Sequence, residues 1–505
     1  MQYGFPIYSY INRSAIRPVP KNHTSTARHK EFVSQKIQNN LQMGHILGPY
    51  KTPPPSTIIS PIGLVPKKEE GQYRLIHDLS YPEGDSVNDY IPPAYSTVQY
   101  ETFDHFVTLL LSLPKGALMA KADIKSAFRI LPVRPQDYNL LGFMWDGNFY
   151  MDKRMPMGAS SSCQAFESLS SALQWILKHL GVLHISHILD DFMFLGPPDS
   201  DITAQSLSMF MKLMSQLNIP VNHDKTVHPH TKVIVHGIEV DSVSREALLP
   251  KDKLNTLLAD LLVLVHKKSV TLKKLQSVLG LLNFATKVVI PGRAFLRRLI
   301  NLTCGVSKPY HHIKLTQEAK ADVSMWIQFL AHYNGKSLLL ENNWTSSPHL
   351  QLFTDSAKSK GFGLVFDRQW CFGSWDQDES KHNITLLELY PIVLAVLLWG
   401  QELSNMCVEF HSDNLAVVEI LNSQTSKILS IMVLVRLFVF KCLKHNIQFK
   451  LIHVPGVRNI IPDLLSRLQV QKARSLAPHL DMESTPVPSQ WRLSNLLLNN
   501  SFVHH

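Results

Sequence analysis

Short apolar runs separated by polar turns fill the first half of the chain, and most of them predict strands. "IGLVPKK" at 62–68 and "YRLIHDL" at 73–79 flank a polar turn, which predicts a hairpin. "ALMAKAD" at 117–123 predicts a strand that ends on an aspartate. Residues 165–180 have helical periodicity. After this helix, "HISHILDDFMFLG" at 184–196 has two apolar arms around an Asp pair and predicts a second hairpin.

The second half changes pattern twice. Residues 250–300 predict helices interrupted at "VIPG", and the composition shifts at 303–350. Three predicted strands are followed by alternating helices and strands, and this order predicts a compact α/β domain of roughly 120 residues. The strands are "LQLFTD", "GFGLVF", "WCFGSW", "CVEFHSD" and "IQFKLIHV", and the helices lie near 386–400, 415–421, 427–444 and in "IPDLLSRLQ". Residues 1–50 are polar and irregular around one helix at 30–43, and residues 471–505 predict a linker or loosely ordered end.

Composition narrows the class of protein. The 505 residues are 45% hydrophobic and carry a net charge of +10 that is spread along the chain, which favours a polyanion partner or a merely basic protein. Five widely spaced cysteines without a CxxC motif argue against a disulfide scaffold or zinc finger and favour a reducing, intracellular compartment, cytoplasmic or nuclear. No signal peptide is expected. The apolar run at 384–400 contains Glu388 and Pro391, so it predicts a buried helix and no membrane partner.

Asp190 and Asp191 stand next to each other between apolar arms, where adjacent carboxylates repel. A lone Asp pair is usually a polar turn. A pair of Mg²⁺ ions would offset the repulsion, as in phosphoryl-transfer enzymes that build nucleic acid. Asp123, at the end of its own predicted strand, is the natural third ligand.

An ordered set of segments gives this pair a context. "ADIKSAF", "RMPMGASSSCQAF", "ILDD", "LNIPVNHDKTV" and "VHGIEVD" resemble motifs A to E of the reverse transcriptase palm. Upstream, "SPIGLVPKKEEGQYRLIHDLSYPEGDSVND" is similar to the fingers hairpin of retroelement polymerases. "RLIHDLSYP", "SVND" and "MPMG" most resemble DIRS-like (tyrosine-recombinase) retrotransposons, with Gypsy-type elements and hepadnavirus polymerases as more distant relatives. The resemblance covers about residues 40–470.

The resemblance implies roles for single residues. Asp123, Asp190 and Asp191 would be the catalytic metal ligands, and Phe128 would be a steric gate against a ribose 2′-OH, a core aromatic, or both. The implied nucleotide-binding residues are Phe128, Lys67, Arg74, Gly158 and Lys225. Without the motifs they would pass for a solvated basic hairpin, a turn glycine and a surface lysine. The family usually has an aromatic two residues before the Asp pair, where this chain has Ile188.

A second carboxylate cluster lies in the C-terminal domain and resembles ribonuclease H. The implied metal ligands and catalytic residues are Asp355, Glu388, Asp413 and Asp463, with His453 assisting product release or proton transfer and Asn459 structural. Each carboxylate has a simpler interpretation: a helix capping box in "TLLE", a strand-end turn, or a first-turn acid favoured by the helix dipole. Pro391 suggests a helix that starts late or kinks.

The implied fold class is mixed α/β and α+β: a right-hand polymerase of fingers, palm and thumb, then a ribonuclease H-like α/β domain. The expected boundaries are an N-terminal extension at 1–45, fingers and palm at 46–245, a thumb-like region at 246–302, a connection at 303–347, the ribonuclease H-like domain at 348–470 and a tail at 471–505. Lys273, Lys274, Arg293, Arg297 and Arg298 are either contacts to a nucleic-acid backbone or an ordinary solvated helix face.

The implied function is RNA-directed DNA polymerase with fused ribonuclease H. The expected cofactor is Mg²⁺ (two per active site, Mn²⁺ as a substitute). The expected partners are an RNA template, a DNA primer, the RNA–DNA hybrid, deoxynucleoside triphosphates and other element-encoded proteins. Two rivals stand beside this hypothesis: a decayed or domesticated nucleic-acid-binding protein without catalysis, and a nuclease with an inactive palm. The chain ends at His505 without the recombinase of a DIRS-like element, so a fragment is expected or that domain lies elsewhere.

Overall fold

The computed structural model divides the chain into two compact units. It describes residues 3–15, 17–67, 71–333, 337–338, 345–346, 352–404, 406–445, 447–455 and 459–498. The first unit comprises Met1–His236 and Val240–Ser244, and the second comprises Gly237–Glu239 and Arg245–His505. Residues 69 and 70 of the predicted turn at 69–72 and part of the predicted connection lie outside the described residues. None of the described helices is long and apolar enough to cross a membrane.

The first unit combines antiparallel strands with helices. Its strands are Ile46–Tyr50, Ile62–Pro66, Tyr73–His77, Leu118–Asp123, Gly142–Trp145, Asn148–Asp152, Ile185–Ile188, Asp191–Gly196, Val227–His230 and Lys232–Val235, and Ile238–Asp241 falls at the division between the units. Its α-helices are Thr24–Arg28, Lys30–Gln42, Phe103–Leu111, Ser162–His179 and Ile202–Gln216. Short 3-10 turns cover Asn88–Tyr90, Pro93–Tyr95, Ala127–Ile130, Pro135–Leu140 and His223–Lys225.

A four-stranded antiparallel sheet forms the centre of the first unit. Its order is Ile185–Ile188, Asp191–Gly196, Leu118–Asp123, Val227–His230. The predicted hairpin around the Asp pair is confirmed, because Ile188 pairs with Asp191 across a two-residue loop. Ile185, Phe192 and Phe194 are fully buried, and the rings of Phe192 and Phe194 lie 5.0 and 5.4 Å from that of Phe210 on a covering helix. Burial on this scale fixes the register, since a one-residue slip would turn every side chain to the opposite face.

The N-terminal segment packs into the first unit instead of extending from it. Ile7 is fully buried, and its N–H donates to Asp137 Oδ2 at 2.9 Å. Arg13 and Arg134 also pair with this carboxylate, at 3.0 and 2.7 Å. Asp137 is only 1% exposed, so it requires these partners, and the N-terminal segment supplies two of them. The predicted helix at 30–43 is confirmed as Lys30–Gln42.

The second unit is helical at first and then α/β. Its α-helices are Lys251–His266, Leu272–Ala285, Arg297–Asn301, Gln317–Tyr333, Ile384–Trp399, Leu415–Ser423, Leu429–Lys444, Ile460–Ser466, Val470–Leu476 and Leu493–Leu498. Its strands are Glu246–Leu248, Ser269–Thr271, His312–Lys314, Ser337–Leu338, Thr345–Ser346, Phe353–Ala357, Gly361–Phe366, Gln369–Ser374, Cys407–Ser412 and Gln448–His453. Turns of 3-10 type cover Ile290–Phe295, Glu379–Lys381 and Ser489–Trp491. The first of these turns is the predicted interruption at "VIPG".

The α/β part follows the predicted order of elements. Three strands, Phe353–Ala357, Gly361–Phe366 and Gln369–Ser374, form an antiparallel meander, and Cys407–Ser412 pairs in parallel with Gln448–His453. The helix Ile384–Trp399 is almost entirely buried, as its continuous apolar run predicts. It begins before Pro391 and continues past it, so the expectation of a late start was wrong.

The expectation of a loosely ordered tail was also wrong. Ala473, Ala477 and Leu480 are buried in one cluster with Trp370. The tail also runs along the outer strand, where the N–H of Thr485 donates to the carbonyl of Trp370 at 2.7 Å. Pairing an otherwise open sheet edge explains why a segment with few apolar residues packs: its backbone supplies the contacts that its composition does not reveal.

We therefore expect Leu480→Ala to destabilise the second unit by about 2–3 kcal/mol, because a buried leucine side chain would leave a cavity against Trp370. Met482→Ala, two residues on at an 85% exposed position, should change the stability by less than about 0.5 kcal/mol. Urea unfolding of the full chain, followed by tryptophan fluorescence, measures both. Equal effects of the two substitutions would contradict the packed tail.

Candidate active sites

Three carboxylates meet at one end of the central sheet of the first unit. Asp123, the last residue of its strand, lies directly opposite Asp191 in the register. Asp190 occupies the two-residue loop of the adjoining hairpin, and its carbonyl accepts a hydrogen bond from the N–H of Ile124 at 3.0 Å. The backbone itself therefore brings all three predicted metal ligands to the same end of the sheet.

Charge is distributed unevenly among these carboxylates. Lys121 Nζ lies 2.7 Å from Asp191 Oδ2, and Lys225 Nζ lies 3.3 Å from Asp123 Oδ1. Burial, followed by the charges of Asp123 and Asp191, raises the pKa of Asp190. A cation beside Asp190 would relieve this cost, so the donor set fits a divalent metal ion.

The loop that carries Asp190 is held in an uncommon conformation. Leu189 has φ +51°, a backbone conformation that residues other than glycine rarely adopt. Its N–H donates to Glu167 Oε2 at 3.1 Å, and its carbonyl accepts from Ser170 Oγ at 2.7 Å. Both partners belong to the helix Ser162–His179, which thereby fixes the loop from one side.

The same helix also fixes the strand before the loop. Glu167 Oε1 lies 3.0 Å from His187 Nε2, and Gln174 contacts the other ring nitrogen of His187. Glu101 accepts hydrogen bonds from Ser186 Oγ at 2.6 Å, from Gln174 Nε2 at 2.9 Å and from the N–H of His187 at 3.1 Å. Although burial raises the pKa of Glu101, these donors together lower it below the ordinary value. The polar residues thus form one connected network behind the Asp pair.

Sequence reasoning missed this network, although one signal was present. Glu167, Ser170 and Gln174 are spaced i, i+3, i+7 on a helix whose same face buries Phe166 and Leu177. Polar residues that share a buried helix face need partners inside the protein. Their spacing therefore indicated polar contacts inside the protein but not the segment that makes them.

Four of the five predicted nucleotide-binding residues fall into two groups. Phe128 packs against the core, with its ring 5.7 Å from that of Phe166 and nearly perpendicular to it, and Lys225 lies beside Asp123. Lys67 and Arg74 belong to the exposed hairpin, where Lys67 Nζ lies 3.2 Å from Gln72 Oε1.

Gly158 is the remaining member of the set, and the packing of the backbone explains why this residue is a glycine. A Cβ there would lie 1.8 Å from the carbonyl oxygen of His77. Asn88 holds the same loop, donating to the carbonyl of Gly158 at 2.8 Å and accepting from the N–H of Ser160 at 2.9 Å. The structure therefore requires glycine here for close packing of two backbones, whether or not a nucleotide approaches.

In the second unit, Asp355, Glu388 and Asp413 converge from two strands and a helix. Among the described His, Cys, Asp and Glu residues, they are the one group of three whose ligand atoms all lie within 4.8 Å of one another. Burial, then the charges of Asp355 and Asp413, raises the pKa of Glu388 to about 9. Burial, then Asp463 and Asp413, raises the pKa of Asp355 to about 6, although Ser466 Oγ donates to Asp355 Oδ2 at 2.6 Å. Crowded, partly buried oxygens of this kind suit a divalent cation.

Asp463 and His453 lie close by but outside this group of three. Asp463 pairs with Arg467 at 2.8 Å within its own helix, and His453 Nε2 lies 3.1 Å from the carbonyl of Asp413. Asn459 Nδ2 donates to the carbonyl of Thr354 at 2.7 Å, which ties the start of this helix to the strand of Asp355.

Gly363 permits the close approach of the helix Ile460–Ser466. A Cβ on Gly363 would lie 2.4 Å from Leu465 Cβ and 2.7 Å from the carbonyl oxygen of Pro462. Because Gly363 also pairs with Asp355 across the sheet, this contact brings Ser466 to the carboxylate of Asp355. Sequence reasoning did not single out this glycine.

The capping-box interpretation of "TLLE" is wrong. The N-cap of the helix is Asn383, whose side chain accepts a hydrogen bond from the N–H of Thr385 at 2.8 Å. Glu388 therefore lies beyond the first turn, where its carboxylate faces Asp355 and Asp413 instead of capping the helix.

Comparisons with known proteins show similarity of sequence and of fold. Residues 65–246 match the family model described as "Reverse transcriptase (RNA-dependent DNA polymerase)". The chain contains a reverse transcriptase domain. It is 22% identical to the "Retrovirus-related Pol polyprotein from transposon opus" of Drosophila melanogaster over 87% of this chain and 42% of that polyprotein. It is 23% identical to the Gag-Pro-Pol polyprotein of Simian retrovirus SRV-1 over 61% of this chain and 16% of the relative. The chain thus spans less than half the length of these relatives.

Solved structures share the fold of the reverse transcriptase domain and the part that follows it. The foamy viral protease-reverse transcriptase dRH in complex with double-stranded DNA matches with TM-score 0.53 and 18% identity, over 88% of this chain and 73% of that one. The foamy viral protease-reverse transcriptase in complex with an RNA/DNA hybrid matches with TM-score 0.52 and 18% identity, over 90% and 58%. The expected multidomain fold class is therefore confirmed.

The predicted backbone-contact residues after the reverse transcriptase domain have different surroundings. Arg298 Nη1 lies 3.2 Å from the buried carboxylate of Asp322, and Lys274 Nζ lies 2.7 Å from Asp260. Lys273 and Arg293 are exposed, whereas Arg297 is half-buried. Exposure thus favours Lys273 and Arg293 among the five as contacts to a nucleic acid.

The network behind the Asp pair makes a testable difference between two serines of one helix. Ser170→Ala should slow primer extension about tenfold, because the loop of Asp190 loses a hydrogen bond that fixes its position. Ser168→Ala should leave the rate unchanged, since its hydroxyl is exposed and donates only to the carbonyl of Gln164. Steady-state kinetics should show the change in kcat rather than in KM for the nucleotide. A similar rate in both variants would contradict the positioning role.

The raised pKa of Glu388 predicts a pH-dependent stability of the metal-free protein. Its folded-state pKa of about 9 lies above the ordinary value of 4.5. The stability that its protonated form contributes is therefore complete below about pH 4.5 and is lost as the pH rises towards about 9. In wild-type protein measured in EDTA, the thermal midpoint should therefore fall as the pH rises. Glu388→Gln should make this fall less steep, because glutamine does not ionise. Glu419→Gln, at an exposed position of the same unit, should keep the wild-type slope, and a steep slope in both variants would refute the assignment.

Proposed function

We propose that this chain is an RNA-directed DNA polymerase with a fused ribonuclease H, which copies retroelement RNA into DNA. One observation carries the proposal: two separate carboxylate clusters, one in each unit, lie on one chain that contains a reverse transcriptase domain. A binding protein without catalysis gains nothing from crowding carboxylates in this way, because the repulsion costs stability unless a cation is bound.

In the polymerase site, Asp123, Asp190 and Asp191 would hold two Mg²⁺ ions. When bound, the ions supply charge stabilisation for in-line attack on the α-phosphorus of the incoming nucleotide. Lys67 and Arg74 would bind the triphosphate, and Lys225 would protonate the leaving pyrophosphate. Phe128 would exclude a ribose 2′-OH while also packing in the core, and Gly158 would lie near the nucleotide and template. Ile188 would take the place of the aromatic that relatives have before the Asp pair.

In the nuclease site, Asp355, Glu388 and Asp413 would hold the metal ions, with Asp463 as a further ligand. The substrate would be the RNA strand of an RNA–DNA hybrid, hydrolysed by water with the same Lewis-acid assistance. His453, next to the backbone of Asp413, would assist product release or proton transfer. The close approach of three ligand atoms supports this assignment independently of the polymerase site.

The proposed partners are an RNA template, a DNA primer, the hybrid and deoxynucleoside triphosphates. Foamy viral relatives of the same fold were solved with double-stranded DNA and with an RNA/DNA hybrid, which supports nucleic acid as the partner class. Within retroelements we propose that the chain belongs to the DIRS-like group, because the segments "RLIHDLSYP", "SVND" and "MPMG" resemble that group. Other element-encoded proteins are proposed partners on the same basis.

Two substitutions separate the two activities. Asp190→Asn should lower primer extension by at least about 10³-fold and leave cleavage of the hybrid intact, whereas Asp355→Asn should do the reverse, since each removes one charged ligand. Both activities can be read from one substrate, an RNA–DNA hybrid labelled differently on the primer and on the RNA, with Mg²⁺ or Mn²⁺.

Matched controls are available in both units. Asp199 and Asp367 are exposed turn residues with positive φ, a conformation that asparagine tolerates well, so Asp199→Asn and Asp367→Asn should change neither activity. If the wild-type chain binds the hybrid but neither extends nor cleaves it, the non-catalytic alternative replaces the proposal. If only cleavage is found, the palm is inactive.

A further inference from the structure

A two-stranded ribbon in the second unit brings basic residues together from two distant segments. Ser269–Thr271 pairs antiparallel with His312–Lys314, so that Ser269 faces Lys314 and Thr271 faces His312. Val270 and Ile313, the central pair, are 4% and 7% exposed and point to the core. Because side chains alternate along a strand, the flanking pairs point outwards.

Further backbone hydrogen bonds extend this contact beyond the ribbon. The N–H of Leu315 donates to the carbonyl of Lys268 at 3.0 Å, and the N–H of Lys273 donates to the carbonyl of Pro309 at 3.0 Å. The segments 266–276 and 305–317 therefore run side by side and form one surface.

The composition of this surface is strongly biased. The two segments together contain six lysines, three histidines and no aspartate or glutamate. Lys274 is engaged by Asp260, and the other five lysines are exposed: Lys267, Lys268, Lys273, Lys308 and Lys314. Tyr310 is 67% exposed and stands perpendicular to the ring of His311 at 5.2 Å.

Such clustering has a physical cost unless an anion neutralises it. Like charges within a Debye length of about 8–10 Å repel one another. An ordinary solvated surface mixes both signs, which these segments do not. Regularly spaced phosphates match a row of lysines on flexible stems, and an exposed tyrosine offers a face for a sugar or base.

We propose that this basic ribbon binds the sugar–phosphate backbone of the RNA–DNA hybrid without regard to sequence. The identity of the ligand rests on the proposed function, whereas the location of the surface rests on the pairing of the two segments. The ribbon adds Lys267, Lys268, Lys308 and Lys314 to the helix residue Lys273 as contacts. It acts in holding the duplex and takes no part in either chemical step.

The double variant Lys268→Gln/Lys314→Gln in the full chain tests the ribbon. Fluorescence anisotropy with a labelled hybrid, in EDTA and at several KCl concentrations, gives the slope of log K against log salt. Each lost phosphate contact lowers the steepness of this slope by about 0.9, so two contacts lower it by nearly 2. The affinity at low salt should fall accordingly, with an unchanged thermal midpoint.

Two matched controls complete the experiment. Lys268→Arg/Lys314→Arg keeps both charges and should retain the wild-type slope. Lys178→Gln/Lys212→Gln removes two exposed lysines from helices of the first unit and should also retain it. A wild-type slope in the Lys268→Gln/Lys314→Gln variant, or an equal loss in the Lys178→Gln/Lys212→Gln variant, would overturn the proposal.

The outcome is independent of the proposed activities, because the assay measures binding without catalysis. If the salt slope of the Lys268→Gln/Lys314→Gln variant is lower while the wild-type chain neither extends the primer nor cleaves the hybrid, the binding role of the ribbon is supported and the proposed function fails. If both activities are found but the slope does not change, the function stands and the ribbon fails.

Discussion

Repulsion between carboxylates is the constraint on which both candidate sites depend. Each site brings three acidic side chains close together, where burial makes their charges more costly than in water. The sheet registers make this unavoidable: Asp123 lies opposite Asp191, and Asp355 shares its strand with buried neighbours. A fold can tolerate such an arrangement only if neighbouring groups, or a bound cation, offset the repulsion.

The two sites meet this constraint differently. In the first unit, Lys121 and Lys225 pair with two of the three carboxylates, and the rise in pKa falls on Asp190. In the second unit, the pKa values of both Glu388 and Asp355 are raised, to about 9 and about 6. The first site is thus partly neutralised by its own lysines, whereas burial and mutual repulsion in the second site favour the protonated, uncharged carboxyl groups.

The pattern of apolar residues was sufficient to predict the strand that ends at Asp123 and the hairpin whose loop carries Asp190, because apolar runs and polar turns are local features of the sequence. It also predicted the strand of Asp355 but not its end, since that strand continues to Ala357. The supporting contacts were not accessible in this way. The roles of Gly158 and Gly363 depend on which backbone lies opposite, that of His77 in one case and that of the helix Ile460–Ser466 in the other. A sequence shows that a glycine is present but not what approaches it.

The tail and the N-terminal segment illustrate the same limit. The tail was predicted to be loosely ordered and the N-terminal segment to be irregular, yet the tail is held by backbone hydrogen bonds to a sheet edge and the N-terminal segment by the buried carboxylate of Asp137. Buried charges and open sheet edges need partners, and the partner can come from any segment of the chain that reaches them. The same reasoning explains Glu167 and Ser170: both are on the neighbouring helix, and they hydrogen-bond to the N–H and the carbonyl of Leu189, which has a positive φ. Precision at the Asp pair is therefore a property of the helix behind it as much as of the aspartates themselves.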